Sequence, residues 1–291
     1  MGKRKIDKNV SEVIAQGVFI AAALLCVAAV LLICIFLFAN GVPAMAKIGF
    51  FDFIAGKNWK PTDIPASYGI LPMILGSVYI TAGAILFGVP VGILSAVFLA
   101  KFCPKKVYRF IKPAVELLAG IPSVVYGFFG LMVLVPFIRN NIGGNGNSIL
   151  TASLLLGIMI LPTIIGISES AIRAVPDSYY EGALALGATK EESVYKAVLP
   201  AAKSGITAGV ILGVGRAIGE TMAVILVAGN QERMPTGILN GARTLTANIV
   251  LEMGYAADLH RDALIATGVV LFVFILIINL LFSLVKGRSK V

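Results

Sequence analysis

Arg216 and Glu220 are the residues of this chain best placed to do chemistry, because of where they stand. They are the two charges in Ser204–Ala228, a stretch otherwise apolar or small. If one helix begins near Ser204, Arg216 lies about 18 Å along it at roughly 1.5 Å per residue. That is close to the middle of a bilayer core about 30 Å thick. An arginine at that depth costs on the order of 3 kcal/mol on the gentlest scale, so it must face a bundle interior. Glu220 follows one helical turn later on the same face and is placed to pair with it. Two roles fit this pair. It is either a self-neutralising structural ion pair or part of a solute path. In the second case the planar guanidinium suits a bidentate, tetrahedral oxyanion, and Glu220 holds Arg216 when no anion is present. Gly215, Ala217 and Gly219 leave little bulk to screen it.

A second set of residues lies in the least membrane-like part of the chain. Glu181-Gly182-Ala183, Gly187 and Leu199-Pro200 belong to a segment that reads as two short amphipathic helices around a glycine. Pro176, Asp177 and Ser178 are start signals for the first, and Gly187 ends it by taking the left-handed conformation. Thr189 and Glu192 form a capping box for the second, which Pro200 is expected to close. A water-exposed helix pair between apolar spans exists to touch a partner.

The elements that must position these residues are membrane spans. Of 291 residues, 58% are hydrophobic and 13% charged, whereas soluble domains carry about 25% charged residues. Mean hydropathy is +0.94. Ile14–Ala39, Ile64–Ala100, Leu117–Ile138, Asn140–Ser168, Ser204–Ala228 and Ala263–Val285 each reach the roughly 20 residues that a spanning helix needs. Strand-like alternation is absent, which argues against a β-barrel. The fold class is therefore an all-α integral membrane protein with six transmembrane helices. Sixteen of the lysines and arginines fall on the side of the N-terminus and seven on the other, with Arg216 inside a span. The basic side is the cytoplasmic one, so both termini and the 173–203 segment are expected there. The same bias accounts for the net charge of +9 and removes the reason to expect nucleic-acid binding. Lys3-Arg4-Lys5 before an apolar run resembles a signal peptide, but about 26 apolar residues exceed the usual 7–15, so an uncleaved first helix is expected. Gly205, Gly209 and Gly213 repeat at the spacing that lets helices approach closely in lipid. Gly83, Gly88 and Gly92 with Pro90 form a looser version. Glu116 and Glu169 lie near span ends, at the level of the membrane interface.

Several motifs fail. Gly56-Lys57-Asn58 lacks both the earlier glycine and the following hydroxyl of a phosphate loop. Gly213-Val-Gly215-Arg-Ala-Ile-Gly219 has one residue too many for a dinucleotide fingerprint and falls within a span. The single histidine, His260, reads as an external loop residue without ligand-spaced companions, and Cys26, Cys34 and Cys103 read as small apolar residues. No metal or cofactor is expected. The chain is expected not to be an enzyme, so any ATP is hydrolysed by another subunit.

At this point the residues resemble a known family. Glu181-Gly182-Ala183, Gly187 and Leu199-Pro200 have the spacing of the EAA loop of ABC importer permeases, with Gly182 and Ala197 as departures from its usual alanine and isoleucine. Trp59-Lys60-Pro61, Tyr68–Pro72, Leu118–Gly127, Pro136 and Gly215–Ala223 are similar to the phosphate importer's permease of the PstC type, over about residues 10–285. The resemblance implies a type I importer permease fold, with an extra N-terminal helix and external loop (1–67), a five-helix core (68–285) containing the coupling loop (173–203), and a short tail (286–291). It implies a bacterial or archaeal plasma membrane, a second permease subunit of the PstA type and a cytoplasmic ATPase dimer. It also implies an extracytoplasmic phosphate-binding protein, docking on Asn40–Ser67 and Gly229–Asp262. In the family, residues matching Arg216 and Glu220 are implicated in phosphate passage. An importer of another oxyanion, a proton-coupled secondary transporter and a phosphate-sensing scaffold remain open at this point.

Overall fold

The structure is a computed structural model. It describes the backbone of residues 3–287 and the side chains of residues 12–281. Helix α1 (Lys3–Ile48) leads to a short helix α2 (Phe50–Ala55) and a two-stranded hairpin, β1 (Trp59–Lys60) with β2 (Ser67–Tyr68). Trp59 pairs with Tyr68 and Lys60 with Ser67, antiparallel. Then come α3 (Leu71–Val97), α4 (Lys105–Gly120), α5 (Ser123–Phe129), α6 (Val135–Asn141) and α7 (Ile149–Arg173). They are followed by α8 (Asp177–Ala185), α9 (Lys190–Ser193), α10 (Leu199–Gly219), α11 (Met222–Val227), α12 (Leu245–Glu252) and α13 (Asp258–Gly287). Six helical runs among the described residues are long and apolar enough to cross a membrane.

The middle of the bundle is α7, which is the most buried span. Lipid tails are as apolar as leucine, so nothing but close packing and hydrogen bonding holds helices together there. Glycines supply the close packing. A methyl group on Gly88 of α3 would come within 2.8 Å of the Gly157 carbonyl of α7, and one on Gly92 within 2.8 Å of Ile164. From the other side, Gly205, Gly209 and Gly213 of α10 pack on Ala171, Ile167 and Ile164. Leu155, Leu156, Ile160 and Ile164 of α7 form the main core with Ile80, Ala84, Ala217 and Val224. The start of α7 is held by another segment. Its Ser148 hydroxyl caps Thr151 N–H at 3.2 Å, and the free N–H groups of Ile149 and Leu150 donate to the carbonyls of Asn240 and Ile238 at 3.0 and 2.9 Å.

Three expectations change. Ser204–Ala228 is not one helix: α10 ends at Gly219, Glu220 is extended (φ −71°, ψ 131°), and α11 restarts at Met222. Leu117–Ile138 is not one span either, because Gly120-Ile121-Pro122 breaks it. Leu117–Gly120 belongs to the amphipathic α4, and the span runs from Ser123 to Asn141. Pro200 does not close α9. A π turn over Val194–Val198 widens the helix, with Leu199 N–H reaching the Val194 carbonyl, and the helix continues into α10 with Pro200 in its first turn. The π turn just before it is the local adjustment that lets the helix run past a residue with no N–H.

The glycine contacts are open to a direct test. Gly213→Leu puts a side chain where a Cβ alone would lie 2.8 Å from Ile164, and should destabilise the bundle by roughly 1–3 kcal/mol. Gly215→Ala, where a Cβ meets nothing within 4 Å, should not. Melting temperatures of the two variants in detergent check the contrast.

Candidate functional site

The packing of α10 on α7 carries Arg216 into the bundle, half-buried, facing Thr163. Its Nη1 lies 3.5 Å from the Thr163 hydroxyl, the outer limit of a hydrogen bond. Glu220 is not its partner. Because α10 ends one residue earlier, the Glu220 carboxylate turns to the start of α11. There Oε1 accepts from the N–H groups of Thr221 (3.1 Å) and Ala223 (3.3 Å). The Glu220 carbonyl in turn accepts from the Thr246 hydroxyl at 3.1 Å, tying the break to α12. Among the described residues Arg216 makes no ion pair. A Cβ on Gly215 or Gly219 would meet nothing within 4 Å, so α10 is open beside the guanidinium. What the site presents is one cation and one hydroxyl inside the bundle, in the last turn of α10 instead of at mid-helix, bordered by open space. That is a set of donors suited to an anion.

The second set of residues forms the expected helix pair. Helix α8 starts after Pro176 and ends before Gly187, whose φ of +88° is left-handed. Thr189 and Glu192 complete the capping box in both directions. Glu181, Gly182, Gly187 and Pro200 are exposed, and Ala183 and Leu199 half-buried. Leu186 is 91% exposed, with Tyr179 and Tyr195 also exposed nearby in sequence. Helix α10 joins this loop to Arg216 along the chain.

Two further charged centres escaped the sequence reading. Glu252, at the end of α12, is buried and receives hydrogen bonds from Trp59 Nε1 (2.9 Å) and Arg243 Nη1, with His260 Nε2 at 2.8 Å. Arg243 also bonds Asn248 (3.0 Å) and pairs with Glu232 (2.7 Å). His260 is therefore not a loop residue. It stands in the first turn of α13, with Glu252 as its partner. The only signal was that Trp and His occur once each; their separation of about two hundred residues hid the contact. The second is Glu169, one turn from the end of α7. It is 2% exposed and bonds Tyr108, Lys112 and Arg173. Its bond and charge raise the Tyr108 hydroxyl above the ordinary phenol range, with burial adding. Burial works against the charge of Lys112, but the bond and attraction of Glu169 outweigh it and hold Lys112 above the usual lysine value.

Six helical runs able to cross a membrane describe a multi-pass membrane protein. Residues 88–290 match the family described as the binding-protein-dependent transport system inner membrane component, and the chain belongs to that family. It is 39% identical to the probable ABC transporter permease protein YqgH of Bacillus subtilis, over 98% of this chain and 94% of that protein. It is also 39% identical to the phosphate transport system permease protein PstC of Mesorhizobium japonicum, over 89% of this chain and 84% of that one. Among solved structures, a chain of a bacterial ABC transporter involved in import of the acidic polysaccharide alginate superposes with a TM-score of 0.66 at 18% identity, covering 97% of this chain and 100% of that one. A chain of the inward-facing MetNI methionine ABC transporter gives 0.63 at 20% identity, covering 76% and 96%. These last two share the fold.

The Glu252 centre carries a stability prediction. Trp59→Phe leaves one lone pair of Glu252 unmatched and should cost about 1–2 kcal/mol. Glu252→Gln breaks a buried charge pair and should cost roughly 3–5 kcal/mol. Denaturation of the purified protein in detergent should rank the two in that order.

Proposed function

We propose that this chain is the permease subunit that carries inorganic phosphate through an ATP-driven importer of the plasma membrane. The observation that carries the reading is Arg216: a guanidinium inside the bundle, in the last turn of a spanning helix, with one weak hydroxyl contact and open space beside it. A charge in that position needs a counter-ion, and a tetrahedral oxyanion supplies one. The names of relatives such as PstC of Mesorhizobium japonicum support phosphate over other oxyanions. Thr163 adds a neutral donor next to the cation, which a partly protonated oxyanion can use equally as donor or acceptor.

In this reading the helix pair α8–α9 faces the cytoplasm, and its apolar tip at Leu186 enters a groove on a separate ATPase dimer. A second permease subunit, of the PstA type, covers the open side of α10. An extracytoplasmic phosphate-binding protein docks on the hairpin and the 229–262 region. The permease itself does no chemistry. ATP binding closes the ATPase dimer and pulls the helix pairs together, and the spans rock as rigid bodies. The Arg216 site is then exposed to one side of the membrane at a time. Because α9 runs unbroken through its π turn into α10, a pull on the loop reaches Arg216 along one continuous helix.

Reconstitution with the ATPase, the second permease and the binding protein should give ATP-dependent phosphate uptake. Uptake of sulfate or molybdate instead would replace the substrate, and uptake that persists without the ATPase would point to a proton-coupled carrier. Arg216→Gln should lower uptake by about two orders of magnitude, the scale of losing a charged anion contact, while the complex still assembles. Unchanged uptake would return Arg216 to a structural role. Gly187→Val forces a β-branched residue into a left-handed backbone and should separate ATP hydrolysis from uptake. Normal phosphate-to-ATP stoichiometry in that variant would remove the loop from the coupling path.

A further inference from the structure

Glu169 is one turn from the end of α7, buried, and unused by the solute path. Its carboxylate gathers three donors: the Tyr108 hydroxyl (2.8 Å), Lys112 Nζ (2.9 Å) and Arg173 Nε (2.8 Å). Arg173 continues the link, because its Nη2 donates to the Leu99 carbonyl at 2.7 Å. That carbonyl is free for a reason written in the sequence. The Cys103 N–H, its ordinary helical partner, bonds Phe98 instead, and the next residue, Pro104, has no N–H. The Arg173 guanidinium also lies over the Tyr108 ring, 4.7 Å from its centre. The end of α3, the start of α4 and the end of α7 are thus joined at one carboxylate. The next element after Arg173 is α8. Lys101 extends the junction onto it, 3.6 Å from Asp177 and over the Tyr180 ring.

Helix α4, like α8, has no buried residue, in contrast to α3 and α7. Among the described residues, two sets of hydrogen bonds tie it to the bundle. Near its start, Tyr108 and Lys112 reach Glu169. Near its end, the Leu118 carbonyl accepts from the Tyr126 hydroxyl at 2.8 Å. Tyr126 packs in the same core as Ala217 and Ala223, which flank Arg216 and the helix break at Glu220. An element fastened at two points and packed little between them transmits displacement instead of absorbing it. One fastening is at the foot of α8, the other at the wall of the Arg216 site.

We propose that Glu169 is a positioning residue for coupling: it makes α4 move with the foot of the α8–α9 pair, so that a pull on that pair also shifts Tyr126 and the wall beside Arg216. The inference rests on the reading of α8–α9 as the ATPase contact, and extends it to a second route besides α10. Glu169→Gln keeps the shape of the side chain but removes the charge that holds two cations. It should leave assembly and ATP hydrolysis in place. Transported anion per ATP should fall about tenfold, the scale of a typical coupling energy, with the KM for the anion unchanged. Glu169→Asp should recover part of the loss. Tyr108→Phe, which removes one hydroxyl at a half-buried position, should show the same loss in weaker form and serves if Glu169→Gln does not assemble. An unchanged anion-to-ATP ratio in the assembled variants would overturn the proposal, as would a raised KM with an unchanged ratio. The ratio is read with whichever anion the unaltered complex carries, so a failure of the phosphate assignment shows in the unaltered complex and a failure of this proposal only in the variants.

Discussion

Everything in this bundle depends on how closely α3 and α10 can approach α7. In water, apolar faces would be driven together. In lipid they are not, and only close packing and hydrogen bonds separate a fold from a set of independent helices. The glycines at 88 and 92 on one side and at 205, 209 and 213 on the other remove the side chains that would hold the axes apart. The consequence reaches the site directly. Arg216 comes one turn after Gly213 meets Ile164, so the contact that packs the helices also fixes the guanidinium opposite Thr163.

Three buried or half-buried charged centres can then be compared within one molecule. At one end of the bundle Glu252 is matched by Trp59, Arg243 and His260. At the other end Glu169 is matched by Tyr108, Lys112 and Arg173. Each carboxylate has three partners shared over its two oxygens, as buried charges require. Arg216 has one bond at 3.5 Å. The two buried carboxylates are matched by neighbouring donors, whereas Arg216 is left with one long contact. This contrast favours a solute role for Arg216 more strongly than its depth alone, since depth is equally consistent with a structural ion pair.

The sequence made the spans, the capped helix pair and the glycine-packed face of α10 legible, because each is a local pattern with a short period. Thr189 and Glu192 are three residues apart and Gly205, Gly209 and Gly213 four, so their contacts follow from helical geometry. The Glu252 and Glu169 centres were not legible, since Trp59 and Glu252, or Tyr108 and Glu169, meet only after distant helices pack. The break at Glu220 was missed for another reason. No proline marks it, and Gly-Glu-Thr reads as a continuing helix. What ends the helix is competition for backbone groups: the Glu220 carboxylate takes the N–H groups of Thr221 and Ala223, and Thr246 takes its carbonyl.

That break changes how an anion would be bound. With Glu220 one turn along the same helix, its carboxylate would sit permanently beside Arg216. An incoming anion would have to displace a group tethered at high effective concentration and leave a second carboxylate unpaired in a poorly solvated place. In the structure the carboxylate is instead paired with the backbone N–H groups of Thr221 and Ala223. The guanidinium is left weakly satisfied, and the carboxylate is kept from being orphaned. On the proposed reading, an anion reaching Arg216 would displace no tethered carboxylate. A site that faces each side of the membrane in turn requires a shallow energy difference, because an anion held by a deeply buried, fully paired arginine would not leave.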